Sequence, residues 1–175
     1  MPEFINPEKV LDQLNLRAEM IAADFGCGSG GWAIPLAKRL SNGLVYAIDI
    51  LNEPLSALKS KAKWAKVTNI RTILSDVERV RGILDRSCDL VLMTNLLFQC
   101  ENKKKILAEA KRVLKNNGLI LVVDWKKEAR LDPNQIYVSP DEVKKIAQEL
   151  NLVVEKEFDI STSHYGIILK KEEKL

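Results

Sequence analysis

The stretch from Ala23 to Trp32 reads ADFGCGSGGW and carries four glycines within six positions, led by an acidic residue. Glycine lets a backbone approach a ligand closely, because it has no side chain in the way and tolerates positive φ. Gly26, Gly28 and Gly31 also satisfy the pattern G-x-G-x-x-G, which is typical of loops that bind nucleotides. The stretch therefore predicts a ligand-binding turn, and the surrounding residues must indicate which ligand it holds.

Three acidic residues narrow the class of ligand. Asp49 ends an apolar run nineteen residues after Gly30, where a carboxylate can accept two hydrogen bonds from a ribose diol. Asp76, in Ser75-Asp76-Val77, follows the next apolar run and can accept a hydrogen bond from an adenine amino group. Asp24 would repel a pyrophosphate and attract an ammonium or a sulfonium. This charge favours S-adenosylmethionine over a dinucleotide, while the glycine pattern alone fits both.

The elements that must position these residues alternate between apolar runs and amphipathic stretches. Strands are predicted at 20–25, 44–50, 70–74, 90–94, 119–123, 152–158 and 165–169, and the main helices at 30–40, 53–66, 103–114 and 140–150. Apolar runs separated by helices are typical of a parallel sheet covered on both faces. The connection 159–164 is too short for a crossover, so the last two runs should pair as an antiparallel hairpin. We predict a doubly wound, Rossmann-like α/β sandwich with a seven-stranded, mostly parallel sheet whose last strand is antiparallel.

Length and composition indicate one domain. The chain has 175 residues, of which 46% are hydrophobic, enough for a single core. We expect residues 1–20 to form an N-terminal helical lid, 21–171 the core and 172–175 a frayed tail. The sequence shows no apolar run of membrane-spanning length and no secretory leader, which predicts a cytoplasmic location. Three cysteines without C-x-x-C spacing and a single histidine argue against a disulfide scaffold and a metal site.

The charge pattern bears on the partners. The net charge of +3 comes from 27 basic and 24 acidic residues interleaved along the chain. No basic face of domain size is visible, which disfavours a nucleic-acid partner. We therefore expect a small-molecule substrate, no membrane span, and a monomer or homodimer.

Together these motifs resemble class I S-adenosylmethionine-dependent methyltransferases of the small-molecule type, a broad group that includes quinone-biosynthesis enzymes. ADFGCGSG resembles the first family motif, VYAIDI the second-strand acid, LSDVERV the adenine-contact loop and RVLKNNGLILVVDW the fifth-strand block. The resemblance implies that the glycine loop holds the methionine part, the second-strand acid the ribose, and the residues after the second and third strands the adenine. The implied binding set, for S-adenosylmethionine and the product S-adenosylhomocysteine, is Asp24, Phe25, Gly26, Gly28, Gly30, Asp49, Ile50, Leu51, Asp76, Val77 and Asn95.

Candidate catalytic residues follow from the predicted topology. Asp124 follows the fifth strand at the edge where the carboxyl ends of parallel strands meet. The last strand runs the other way, so its start brings His164 and Tyr165 to that same edge. Many relatives carry histidines after the fourth strand, where this chain has Phe98 and Gln99, so a base from that segment is in doubt. Methyl transfer from a sulfonium is an in-line displacement, which orientation and exclusion of water can accelerate.

The leading functional prediction is S-adenosylmethionine-dependent methyl transfer to a small molecule, with the acceptor left open. The alternatives are an RNA or protein methyltransferase, a non-catalytic cofactor-binding partner subunit, and a nicotinamide oxidoreductase. An Asn-Pro-Pro-Tyr type motif for base amines is absent after the fourth strand, where Thr94-Asn95-Leu96-Leu97 stands. For the RNA or protein alternative, the run Lys103-Lys104-Lys105 would be the basic patch.

Overall fold

One mixed sheet forms the centre of the protein. The computed structural model describes residues 4–129, 132–134 and 136–172. Its strands are β1 (Ile21–Phe25), β2 (Leu44–Asp49), β3 (Ile70–Leu74), β4 (Cys88–Thr94), β5 (Leu114–Trp125), β6 (Leu152–Asp159) and β7 (His164–Lys171). The order across the sheet is β3-β2-β1-β4-β5-β7-β6. Only β7 runs against its neighbours β5 and β6, as the short connection before it predicts.

In the described part of the chain, five α-helices cover the two faces of this sheet. They are α1 (Pro7–Leu11), α2 (Ala33–Arg39), α3 (Asn52–Trp64), α4 (Lys103–Val113) and α5 (Pro140–Glu149). Buried residues of α1, α2 and α3 form one core with one face of the sheet, and those of α4 and α5 form a second core on the other face. Because side chains alternate along a strand, Asp24 lies on the same face as Ala22, toward α1–α3.

The topology places the candidate site at a crevice in the sheet. The chain runs from β1 to β2 and β3 on one side, and then returns to place β4 on the other side of β1. At such a reversal the connections leave in opposite directions and open a crevice at the carboxyl ends of the strands. The glycine loop follows β1 and Asn95 follows β4, so both lie at this crevice.

Two element boundaries differ from the prediction by three residues or more. Helix α2 begins at Ala33 and not at Gly30, because Gly30 has a φ of +92°, which no α-helix accepts. Strand β5 begins directly after α4, at Leu114, and includes the segment 116–118 that the sequence marks as a turn. Cys88 pairs with Leu114 while Leu90 pairs with Leu119, so the predicted turn is a bulge within the strand.

The N-terminal segment packs on α2. Asn6 caps α1 by accepting a hydrogen bond from the backbone N–H of Glu8, and Arg39 forms ion pairs with Glu8 and Asp12. Phe4, in contrast, is 99% exposed. The predicted lid function of residues 1–20 stays a prediction. Residues 1–3 lie outside the described residues, and so do residues 173–175, which are most of the predicted tail.

Candidate cofactor and acceptor site

The glycine loop depends on backbone conformations that favour glycine. Gly26, Gly28 and Gly30 have φ values of +70°, +53° and +92°. A Cβ atom built on Gly26 would lie 2.7 Å from the side chain of Leu96, and one on Gly30 would collide with that of Leu58. At Gly28 a Cβ would meet no atom within 4 Å. The first and third glycines therefore allow tight packing, and the second borders open space that a ligand can enter.

We expect Gly30→Ala to lower the free energy of unfolding by about 3 kcal/mol, because it adds both backbone strain and a steric collision with Leu58. Urea denaturation would measure the loss. Gly31→Ala is the matched control, since a Cβ there meets nothing within 4 Å and the φ is not positive. Equal losses in the two variants would contradict this account of the loop.

Asp24 lies beneath the loop as a buried carboxyl group without a protein partner. It is 0% exposed, and neither carboxyl oxygen has a hydrogen-bond partner among the described residues. Burial, and then the nearby charge of Asp49, raise its pKa to about 8. An unpaired buried carboxyl group is costly, so its presence directly before the glycine loop indicates that a ligand supplies a donor or a positive charge. The ammonium of a methionine moiety meets this need.

Asp49 joins the end of β2 to the glycine loop. Its Oδ2 accepts a hydrogen bond of 2.9 Å from the backbone N–H of Gly28, and its Oδ1 accepts one of 3.0 Å from Leu51. Each oxygen keeps a further lone pair, so the carboxylate can still accept from a ribose diol. Ile50 and Leu51 are 65% and 60% exposed, which leaves an apolar surface beside this acid for an adenine ring.

Asp76 and Val77 lie in the segment between β3 and β4. Asp76 is exposed, and its Oδ1 accepts a hydrogen bond of 2.8 Å from the backbone N–H of Glu78, while Val77 is half-buried. Two α4 residues hold this segment, and no sequence pattern predicts these contacts. Glu109 accepts from the backbone N–H of Val80 at 2.9 Å, and Arg112 donates to the carbonyl of Val80 at 3.2 Å.

Asn95 and His164 meet at the carboxyl edge of the sheet. The Nε2 atom of His164 lies 3.0 Å from Oδ1 of Asn95, and the imidazole contacts the Trp125 ring with centroids 4.0 Å apart. His164 is 3% exposed. Burial, and then the charge of Lys126, lower the pKa of His164 to about 4. The start of β7 therefore lies at this edge, as the topology predicts. The imidazole ring is neutral there.

Asp124 and Tyr165 face each other across β5 and β7, among the residues of the α4–α5 core. Asp124 accepts hydrogen bonds from the backbone N–H groups of Trp125 at 2.9 Å and Phe98 at 3.3 Å. Burial raises its pKa to about 6, and the backbone hydrogen bonds oppose this rise. The Tyr165 hydroxyl donates to the carbonyl of Val138 at 2.8 Å, and burial raises its pKa. Asp24 lies on the opposite face of the sheet from both residues. Catalytic roles for Asp124 and Tyr165 stay predictions.

The described part of the chain holds neither a cluster of potential metal ligands nor a membrane-spanning helix. Across residues 4–129, 132–134 and 136–172, no group of three or more His, Cys, Asp or Glu side chains could hold a metal ion. Over the same ranges, no helix combines the length and apolar character needed to cross a membrane.

Comparison with known proteins decides the family. The profile of a family described as a methyltransferase domain matches residues 23–122, more than half of the chain. The chain belongs to this family. A solved SAM-dependent methyltransferase from Aquifex aeolicus has a TM-score of 0.86 and 28% identity, covering 95% of this chain and 89% of its own. These matches confirm the predicted family, fold, methyltransferase class and S-adenosylmethionine cofactor.

Curated relatives of this methyltransferase domain act on different molecules. A demethylmenaquinone methyltransferase from Staphylococcus aureus is 30% identical over 67% of this chain and 48% of its own length. A protein from Methanococcus maripaludis, named a probable cobalt-precorrin-6B C(15)-methyltransferase, is 26% identical over 78% of this chain and 76% of its own. The chain thus spans about half the length of the first relative and three quarters of the second.

Proposed function

We propose that this protein transfers the methyl group of S-adenosylmethionine to a small-molecule acceptor. The observation that carries the proposal is the buried carboxyl group of Asp24, which has no hydrogen-bond partner among the described residues and directly precedes a glycine loop with open space at Gly28. A positively charged amino-acid moiety supplies the missing partner and favours ionisation of the carboxyl group, whereas a nucleotide pyrophosphate would oppose that ionisation. The relatives from Staphylococcus aureus and Methanococcus maripaludis are named for small-molecule methyl acceptors, which supports the same acceptor class.

Each residue of the site then has a separate task. When bound, the cofactor supplies a methyl group on a sulfonium, which is already activated for transfer. Asp24 holds the ammonium, the space at Gly28 admits the methionine chain, and Asp49 accepts from the ribose. Ile50 and Leu51 cover the adenine ring, and Asp76 and Val77 bind its edge. These contacts fix the direction in which the methyl group points. Orientation of this kind, together with the exclusion of water, is the main requirement of an in-line displacement.

A cavity of about 230 Å³ separates the N-terminal segment from the β6–β7 turn. Its apolar lining comes from Phe4 and Ile5 on one side and from Phe158 and Ile160 on the other. The turn also carries Ser161, whose hydroxyl oxygen accepts from the backbone N–H of His164 at 3.2 Å. We propose this cavity as the entry for the acceptor, with the N-terminal segment as its lid. Its lining also includes the polar and charged residues Asn6, Lys9, Gln13 and Asp159. The volume and lining therefore suit a compact molecule that carries polar groups beside its apolar part.

The basic patch of the RNA or protein alternative is neutralised by acids. Lys103, Lys104 and Lys105 form ion pairs of 3.9, 2.7 and 3.1 Å with Glu142, Glu149 and Glu78. A lysine that pairs with an acid adds little to the attraction of a phosphate backbone. We therefore retain the small-molecule acceptor, and propose a cytoplasmic monomer or homodimer.

The direct test is transfer of a labelled methyl group from S-adenosylmethionine into a cell extract that is then separated into small molecules, RNA and protein. We expect label in the small-molecule fraction. Label in RNA or protein would replace the proposed acceptor class. Binding of S-adenosylhomocysteine without transfer to any fraction would favour a non-catalytic partner subunit.

We expect Asp49→Ala to weaken S-adenosylhomocysteine binding by about 2 kcal/mol, roughly 30-fold in Kd, through loss of the charge-assisted ribose contact. Loss of the hydrogen bond to the Gly28 N–H acts in the same direction, because it loosens the loop. Isothermal titration calorimetry would measure the change. Glu53→Ala, at an exposed acid in the first turn of α3, is the control and should change Kd by less than about twofold.

A further inference from the structure

Four polar side chains form a continuous hydrogen-bonded chain from the β6–β7 turn to the end of β4. The hydroxyl oxygens of Ser161 and Ser163 are 3.0 Å apart, and that of Ser163 lies 2.9 Å from Nδ1 of His164. On the other side of the imidazole, Nε2 lies 3.0 Å from Oδ1 of Asn95. Ser163 and His164 are each 3% exposed, so the middle of this chain is shielded from water.

The chemistry of the end groups sets the direction of every proton. An amide oxygen can only accept, so Nε2 of His164 carries a hydrogen and donates it to Asn95. In a neutral ring Nδ1 is then unprotonated, and it accepts from the Ser163 hydroxyl. The Ser161 oxygen already accepts from the backbone N–H groups of Ser163 at 3.1 Å and His164 at 3.2 Å, which leaves its hydroxyl to donate to Ser163. All three side-chain donors therefore point toward Asn95.

The backbone of Asn95 is held as firmly as its side chain. Its φ is +50°, its N–H donates to the carbonyl of Val123 at 2.8 Å, and its carbonyl accepts from the Gln99 side chain at 2.8 Å. The amide nitrogen of its side chain has no hydrogen-bond partner among the described residues. Asn95 is partly exposed and directly follows β4, at the crevice, so this nitrogen is available to a ligand there.

We propose that His164 is a positioning residue, which holds the Asn95 amide so that its N–H groups donate to a lone-pair oxygen or nitrogen of the acceptor molecule. The acceptor part rests on the proposed function; the orientation of the amide does not. His164 does not take the acceptor proton, because its Nε2 lone pair is replaced by a hydrogen and Trp125 covers the ring.

The amide also restricts the chemical class of the acceptor. Two N–H groups in fixed positions favour a hydroxyl, carbonyl or neutral amine near the methylated atom, because each of these offers a lone pair. An acceptor that presents an ammonium at this point has only donors and would oppose the amide N–H groups. We therefore expect acceptors with an oxygen or neutral nitrogen beside the apolar part that enters the cavity.

The state of the imidazole can be tested without any acceptor. The chain has a single histidine, so long-range ¹H–¹⁵N spectra of the uniformly labelled protein report on His164 without assignment. We expect a neutral ring protonated on Nε2 from pH 8 down to pH 5, because burial and the charge of Lys126 lower its pKa to about 4. Lys126 is itself paired with Asp159 at 2.7 Å. A ring that is protonated on Nδ1, or that titrates near its ordinary pKa of about 6.5, would overturn the proposal.

Two substitutions separate positioning from bulk packing. His164→Phe keeps a ring against Trp125 but removes the donor to Asn95, while His164→Gln offers an amide N–H in place of Nε2. We expect His164→Phe to lower kcat for label transfer into the small-molecule fraction by about tenfold, and His164→Gln to recover most of this loss. The Kd for S-adenosylhomocysteine should change by less than about twofold in both.

Several outcomes would contradict the positioning role. Equal losses in His164→Phe and His164→Gln would indicate a base or a packing role, and equal weakening of S-adenosylhomocysteine binding would place the amide against the cofactor. In an Asn95→Ala background, His164→Phe should cause no further loss, and an additive loss would overturn the proposal. If the unaltered protein transfers no label, the proposed function fails, and the imidazole spectra still decide the orientation of Asn95.

Discussion

Asp24→Asn is expected to lose S-adenosylhomocysteine binding and to make the cofactor-free protein more stable. The carboxyl group is buried with no hydrogen-bond partner among the described residues, and its pKa of about 8 lies well above the ordinary value of 3.8. At pH 7 the folded protein must therefore keep a proton that the unfolded chain releases, which costs stability. An asparagine avoids this cost, so we expect a gain of about 2–4 kcal/mol in the free energy of unfolding.

The same substitution removes the negative charge that pairs with the ligand ammonium. We expect Kd for S-adenosylhomocysteine to rise about 100-fold or more, as is usual when one partner of a buried charged pair is removed. Urea denaturation and titration calorimetry at pH 7 would measure the two effects. Opposite signs for stability and affinity are the distinctive result, and a variant that loses stability would contradict the account of Asp24.

Asp124→Asn is the matched control for this experiment. Asp124 is also 0% exposed, but its oxygens accept hydrogen bonds from the backbone N–H groups of Trp125 and Phe98. An amide at this position turns an NH₂ group toward one of these donors. We expect Asp124→Asn to lack the stability gain of Asp24→Asn, because the lost backbone hydrogen bonds offset the relief of no longer burying a carboxyl group.

The affinity for S-adenosylhomocysteine is expected to increase with pH up to about pH 8 and then to level off. Asp24 must be ionised to pair with the ligand ammonium, yet below its pKa of about 8 the free protein holds it protonated. Between pH 6 and 7, each unit of pH should therefore raise the association constant about tenfold. Calorimetry at pH 7 in buffers of different ionisation enthalpy should show release of about one proton per ligand bound.

The stability of the cofactor-free protein should change in the opposite direction. The folded-state pKa of Asp24 is raised above the ordinary value of 3.8, so the folded protein binds more protons than the unfolded chain between these two values. Its contribution to stability is therefore greatest below pH 3.8 and is lost as the pH rises to about 8. In Asp24→Asn the pH dependence of the affinity should disappear, and that of the stability should lose the contribution of Asp24. An affinity that does not vary from pH 6 to 8 would show that Asp24 is not the group that meets the ammonium.

Patterns of local hydrophobicity were sufficient to predict the sheet. The apolar run 70–74 predicts the third strand, which the structure has at Ile70–Leu74, because a short apolar run between polar turns has few alternative pairings. The reversal of β7 follows from a connection too short to cross the sheet. The segment 116–118 has the residue types of a turn, but a bulge uses the same types, and only the pairing partner distinguishes the two.

The candidate site could be predicted only where position along a strand decides the outcome. Asp49 is such a case, because its place at the end of β2 follows from where the strand ends. The positions of Asp124 and Tyr165 are only partly predictable. The strand order indicates which edge of the sheet each residue reaches, but the face of the sheet that it occupies depends on the strand register. The hydrogen bonds from Ser161 through His164 to Asn95 join residues up to 69 positions apart, and no periodicity encodes them.

The reversed strand β7 has a consequence for synthesis of the protein. It lies between β5 and β6, although both precede it in the chain. Until residues 164–171 leave the ribosome, β5 has one unpaired edge, and Asn95 has no imidazole beside its amide. Long-range pairing of this kind is slow and leaves exposed edges in the nascent chain. We therefore expect the glycine loop to form before the acceptor side of the crevice, so that the cofactor site is complete before the acceptor site during folding.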